Sequence, residues 1–150
     1  EGVLPSPHVV SAIKYETGIT RAIPVAQGRR VLKAETAAIV SDMLVKVFDE
    51  GLLHGELKMD HYTVAAKTGT AQIAKPGGGY YQSGTFLHSF FGYFPAHEPR
   101  FIVFLFAVEP HGVEYASASL AHPFATLAKF LIKQKNISYI HQRNHILFFH

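Results

Sequence analysis

Ala37, Val40, Leu44, Val47 and Phe48 recur at steps of three and four residues. That is one face of a 3.6-residue period, and it predicts a helix over Ala34–Glu50 with Gly51 as its stop. Leu120, Phe124, Leu127, Ala128 and Leu131 repeat the spacing and predict a last helix, capped by Ser117 or Ser119 and running to about Lys135. Elsewhere the pattern is that of strands. His8–Tyr15 is β-leaning, Glu16-Thr17-Gly18 turns the chain, and Ile19–Val25 reads as a return strand closed by Pro24. Residues 27–31 and Gly51–Asp60 are polar connections. Tyr62–Thr68 is an apolar strand followed by a flexible loop, Lys75-Pro76-Gly77-Gly78-Gly79.

Phe86–Phe94 and Phe101–Glu109 are strongly β-prone, and Pro95-Ala96-His97-Glu98-Pro99 joins them as a hairpin loop. The run FIVFLFAV is apolar at every position, which predicts a strand buried on both faces and a sheet with helices on both sides. Antiparallel hairpins with packed helices point to an α+β fold rather than to βαβ units. The tail from Ile137 to His150 is apolar and histidine-rich and fits no element.

Composition narrows the function. At 150 residues the chain is one domain or part of one, and 48% hydrophobic residues are enough for a core. Cysteine is absent, which excludes disulfides and thiol chemistry. The net charge is +3, but no Lys/Arg cluster is interleaved with aromatics, so no nucleic-acid partner is expected. After Glu114 there is no acid, while Lys129, Lys133, Lys135 and Arg143 follow. Cations near the end of a helix suit its dipole, and that reading outweighs attraction to an anionic membrane surface. No apolar run reaches membrane-spanning length. The opening, Glu1-Gly2-Val3-Leu4-Pro5-Ser6-Pro7, reads as a loop entered from an earlier segment, so the chain is expected to be part of a longer protein.

Of the ten histidines, His141 and His145 are four apart and would stack on one helix face. No acid or cysteine accompanies them. A packing role outweighs a zinc site, and neither metal nor cofactor is expected.

One stretch carries chemistry. The strand Tyr62-Thr63-Val64-Ala65-Ala66 runs into Lys67-Thr68-Gly69-Thr70. A lone Lys-Thr-Gly is most often a solvated strand end. It is not a phosphate loop, which needs glycine before the lysine and a hydroxyl after it. A peptide laid along an exposed strand edge fits better. Gly69 lets the ligand backbone approach. Thr68 and Thr70 put two hydroxyls on one side of the strand, where they can bind a carboxylate. Lys67 adds positive potential, and a backbone N–H can face a developing oxyanion. This is the half of an acyl-transfer site that grips the acyl donor.

Lys67-Thr68-Gly69-Thr70-Ala71-Gln72 followed by a glycine-rich loop resembles the third signature motif of penicillin-binding proteins. The continuation His88-Ser89-Phe90-Phe91-Gly92-Tyr93-Phe94-Pro95-Ala96, the strand end Val108-Glu109-Pro110, and the stretch Tyr115–Phe124 that opens the last helix resemble the same family. The similarity is greatest to the class B, monofunctional transpeptidases and runs from about Val3 to about Asn136. What the resemblance implies is a division-type peptidoglycan D,D-transpeptidase of the serine acyl-transferase type, which cross-links stem peptides and is acylated by β-lactams. On that resemblance residues 1–136 are the C-terminal part of a transpeptidase domain, and 137–150 are an atypical tail. Lys67 contributes to the electrostatics and proton network around the nucleophile. Thr68, Gly69 and Thr70 form the substrate-binding edge. The two hydroxyls hold the carboxylate of D-Ala-D-Ala or of a β-lactam, and the Thr70 N–H forms part of the oxyanion hole. The partners implied are the upstream part of the enzyme, which carries the nucleophile, and the cell-wall synthesis machinery. The intact protein is expected to be membrane-anchored, with this domain in the periplasm or otherwise outside the cytoplasmic membrane.

Two family motifs are missing. The nucleophile motif, S-x-x-K at the start of a helix, has one textual match, Ser11-Ala12-Ile13-Lys14. It lies in a β-prone run, where residues three apart point to opposite faces, and too close to Lys67 to be the nucleophile. S-x-N is absent; Ser41-Asp42-Met43 begins like its β-lactamase form and ends in methionine. The 150 residues alone are therefore expected to be inactive. The alternative is a non-catalytic binding or regulatory module that keeps only the donor-binding strand. A β-lactamase or D,D-carboxypeptidase relative is disfavoured by the sequence that follows the Lys-Thr-Gly motif.

Overall fold

The structure, a computed structural model, describes residues 2–81 and 85–134. The tail 137–150, with His141, Arg143 and His145, lies outside the described residues, as does Lys135. The chain falls into two compact units that divide after Val40.

The first unit holds two short antiparallel pairs. Strands β1 (Val3–Leu4) and β4 (Arg29–Arg30) pair Val3 with Arg30. Strands β2 (Ala12–Lys14) and β3 (Thr20–Ala22) form a hairpin that pairs Ile13 with Arg21. The hairpin turn is closed by the Tyr15 N–H on the Ile19 carbonyl, and Gly18 sits there at φ 83°. The expected strand and return strand are thus present, each cut to three residues. No residue from 2 to 40 is buried. Helix α1 (Ala34–Lys46) starts where the periodicity places it but ends four residues early. It runs on into a wide helical turn over Val47–Gly51, then leaves the helix at Leu52 and turns through Leu53 and His54 at positive φ (47° and 55°), with Phe48 and Leu52 buried. The segment expected as a polar connection therefore also contributes core, with Leu57 and Met59 buried.

The second unit is built on a three-stranded antiparallel sheet in the order β5 (Ala65–Gln72), β6 (Phe86–Phe94), β7 (Phe101–Val108). Helix α2 (Ala116–Gln134) packs against all three strands. It begins ahead of Ser117 and Ser119, so neither is its cap. The core is aromatic. Phe124 of α2 stacks on Phe90 with centroids 4.4 Å apart and meets Phe48 and Phe94 edge-on at 6.1 and 6.4 Å. This packing needs Gly92, because a Cβ there would lie 2.4 Å from the Phe124 ring.

Two expectations are corrected. β7 is not buried on both faces. Val103 is 8% exposed, but Ile102, Phe104, Phe106 and Val108 are 60% to 70% exposed. An unbroken apolar run hides its alternation, so the sequence could not say that α2 covers one face while the other lies open among the described residues. The first core strand also does not begin at Tyr62 or end at Thr68. It begins at Ala65 and continues through Gln72, because β6 offers partners that far: Gly69 to Ser89, Thr70 to His88, Gln72 to Phe86.

Candidate active site

Lys67, Thr68, Gly69 and Thr70 lie together in the middle of β5, with β6 on one side only among the described residues. The register says which backbone groups β6 uses. The Glu109 N–H donates to the Phe86 carbonyl, so Phe86 turns its backbone polar groups toward β7. Successive residues of a strand alternate, so Leu87, Ser89, Phe91 and Tyr93 turn theirs toward β5. Their partners are Ala71, Gly69, Lys67 and Ala65. The N–H and C=O groups of Thr68 and Thr70 therefore face the open edge. The Lys67 side chain agrees with this assignment: its Nζ donates to the Thr68 carbonyl at 2.8 Å.

Side chains sort by face. Lys67 and Gly69 share the face of Phe91 and Ser89, and Thr68 and Thr70 share the face of Phe90 and His88. The ammonium thus starts on the opposite face from the hydroxyls and reaches the edge by bending over it. Lys67 and Thr70 are exposed, and Thr68 and Gly69 are half-buried. Gly69 has a role within the sheet beside the one expected at the edge. The Ser89 hydroxyl occupies its missing side-chain space, 2.6 Å from where a Cβ would sit, and donates to the Gly69 carbonyl at 3.4 Å.

Thr70 is tied to α2. Its Oγ1 accepts the Ala116 N–H at 3.0 Å, so a strand side chain caps the first amide of the helix. The helix N-terminus consequently lies at Thr70, with its positive dipole end. Behind Thr70 the fully buried His88 bonds through Nε2 to the Glu114 carbonyl at 3.0 Å and through Nδ1 to Ser119 Oγ at 2.8 Å. Sequence reasoning missed His88, Ala116 and Ser119. One signal was available. His88 is the polar member of the alternating face Phe86, Phe90, Phe94, and a buried polar side chain needs partners.

Of the S-x-x-K match, Lys14 ends β2 and Ser11 stands just before it at a bend, both exposed and neither on a helix. Ser41 Oγ hydrogen-bonds the Tyr93 hydroxyl at 2.8 Å, and Asp42 lies 3.7 Å from His97 at the surface. Neither residue belongs to the β5 edge. Among the described residues no helix is long and apolar enough to cross a membrane, and no three His, Asp or Glu side chains cluster as metal ligands do.

The chain matches the family model of the penicillin binding protein transpeptidase domain over residues 1–129. It is 27% identical over 145 residues to penicillin-binding protein PbpB of Mycolicibacterium smegmatis, covering 91% of this chain and 22% of that protein. It is 36% identical over 97 residues to the probable peptidoglycan D,D-transpeptidase PenA of Neisseria flavescens, covering 65% of this chain and 24% of that one. The chain thus spans about a quarter or less of the length of these relatives. Among solved structures it is similar to penicillin binding protein 3 of Mycobacterium tuberculosis. The apo form superposes with a TM-score of 0.77 at 29% identity, over 92% of this chain and 33% of the other. The ampicillin complex of the same protein gives 0.75 at 27% identity, over 92% and 32%.

Proposed function

Since the chain belongs to the family of penicillin-binding protein transpeptidase domains, we propose that it forms the donor-binding part of a peptidoglycan D,D-transpeptidase. A stem peptide ending in D-Ala-D-Ala, or a β-lactam, lies along the open edge of β5. The Thr68 and Thr70 hydroxyls donate to its terminal carboxylate. Lys67 keeps positive charge beside a serine nucleophile. The Thr70 N–H faces the carbonyl oxygen of the penultimate D-alanine as that oxygen gains charge. Serine attack expels the terminal D-alanine and leaves an acyl-enzyme, which the amine of a second stem peptide then takes over. The serine is not Ser11. It comes from sequence outside these 150 residues, in a membrane-anchored protein whose domain works outside the cytoplasmic membrane in division-type wall synthesis.

The observation that carries this reading is the edge of β5, where two threonines present both hydroxyls, and backbone groups that no strand pairs among the described residues, beside a lysine and a helix N-terminus. Titration of the 15N-labelled chain with diacetyl-Lys-D-Ala-D-Ala tests it. The amides of Thr68, Thr70 and Ala116 are expected to shift, and Thr70→Val to weaken binding by about tenfold or more, as loss of a hydrogen bond to a charged group does. Shifts confined to other elements refute the assignment. In parallel, the intact mass after exposure to a fluorescent penicillin should not change. A stoichiometric adduct on Ser11 would overturn the location of the nucleophile.

A further inference from the structure

His88 is fully buried, and the reaction as described does not use it. On β6 it stands directly opposite Thr70 of β5 and Ala107 of β7, with Phe86 stacked on its ring at 6.3 Å. An apolar side chain would satisfy this face, as Phe90 and Phe94 do further along. The ring instead commits both nitrogens to the residues on either side of Ala116. A carbonyl only accepts, so Nε2 bears the proton that goes to Glu114 O. In the neutral ring Nδ1 then accepts the Ser119 hydroxyl proton. Ser119 Oγ also lies 3.4 Å from the Ala116 carbonyl, but its one proton serves one acceptor and the 2.8 Å contact to Nδ1 is the shorter, so the ring holds the start of α2 through Glu114 and Ser119, on either side of Ala116.

The consequence falls on Thr70. With the Ala116 N–H filling one lone pair of its Oγ1, the rotamer is held and its single hydroxyl proton is free to point elsewhere. A carboxylate only accepts. The hydroxyl is thereby made a donor before the ligand arrives, and this arrangement holds only while the turn from Glu114 to Ala116 keeps its place.

We propose that His88 is a positioning residue for the donor site: by bridging Glu114 O and Ser119 Oγ it fixes the Ala116 N–H on Thr70 Oγ1 and so aims the Thr70 hydroxyl proton at the ligand carboxylate. This rests on the carboxylate reading of the β5 edge, and the two are separated as follows. The probes are benzylpenicillin, which carries the carboxylate, and its methyl ester, which does not. They are titrated against the 150-residue chain and followed by amide shifts. The wild-type chain is expected to prefer the acid. His88→Phe puts a larger, apolar ring in its place and removes both hydrogen bonds. It is expected to lower affinity for the acid roughly three- to tenfold while leaving the ester unaffected, and to speed hydrogen exchange at the Ala116 amide with no ligand present. His88→Gln, which can still donate to one partner and accept from the other, should restore much of the preference. On a Thr70→Val background His88→Phe should add nothing further. If His88→Phe fails to fold, Ser119→Ala removes the Nδ1 partner, leaves the Nε2 bond to Glu114 in place and should give an intermediate loss. If the wild-type chain binds acid and ester alike, the carboxylate reading falls and this inference falls with it. If the wild-type chain discriminates and His88→Phe discriminates equally, or its effect adds to that of Thr70→Val, the reading stands and the role of His88 is refuted.

Discussion

The two faces of the three-stranded sheet are made from similar residues and are used differently. On the face under α2, Phe90, Phe94 and Phe124 are fully buried in mutual ring contact. On the other face, Phe104 and Phe106 lie 6.3 Å apart and are 61% and 64% exposed. β7 supplies both environments from one unbroken apolar run, so hydrophobicity alone did not decide which side became core. The helix decided it. Gly92 leaves a gap that the Phe124 ring fills, and polar ties from His88 and Thr70 hold the start of α2 against the same face. The packed face thus holds the core and ties Thr70 to the start of α2, while the open face meets the β5 edge only through Lys67, Gly69 and Ser89.

The largest expected effect breaks the packed face at its centre. Phe124→Ala removes a ring that meets three others. It should cost about 3–5 kcal/mol, because the surrounding rings cannot close the cavity. Urea denaturation followed by far-UV circular dichroism reads it directly. A loss near 1 kcal/mol would mean that α2 is held chiefly by its polar ties.

How far the sequence foretold this depends on how each element is held. β6 was read at its observed limits and β7 to within a residue, and the last helix was placed but begins at Ala116, ahead of both serines expected to cap it. Alternation, turn residues and the 3.6 period are local signals, and they survived into the fold. The Lys67–Thr70 edge was legible for the same reason: period-two side chains put both threonines on one side wherever the strand lies. What was illegible depends on distant partners. The pairing of Val3–Leu4 with Arg29–Arg30 has no local signature in either pair. The extension of β5 to Gln72 comes from β6. The capping of α2 by Thr70 joins residues far apart in sequence. The open face of β7 was hidden because every one of its residues would have been acceptable inside.

A smaller effect comes from Asp49, in the wide turn after α1. Its carboxyl is raised above the ordinary value of 3.8, first by burial, with Glu50 adding to the shift and Lys58 opposing it. Its Oδ1 has no hydrogen-bond partner among the described residues. A folded-state pKa above the unfolded one means that the folded chain binds this proton more tightly. Asp49 therefore costs nothing below pH ~3, where both states are protonated, and opposes folding as pH rises through the shifted range. Asp49→Asn should accordingly gain thermal stability relative to wild type as pH rises from ~3 to ~7, measured as the difference in Tm at each pH. A difference that stays flat, or falls, would show that Lys58 outweighs the burial.

The smallest effect is the one that sharpens the contrast between the faces. Phe104→Ser replaces a ring of the same chemistry as Phe124, one strand away from Phe90, but on the open side. Its exposed surface was never withdrawn from water, so little transfer energy is lost. What remains is its tilted contact with Phe106 and its cross-strand pairing with Phe91. Such terms are worth a fraction of 1 kcal/mol, and the net change in folding stability should stay within about 0.5 kcal/mol. The same denaturation curve that shows the Phe124→Ala loss should leave Phe104→Ser beside wild type. A cost of 2 kcal/mol or more, by the usual cost of deleting buried apolar groups, would mean that this face is covered in solution, and the difference between the two faces would then belong to these residues alone rather than to the folded protein.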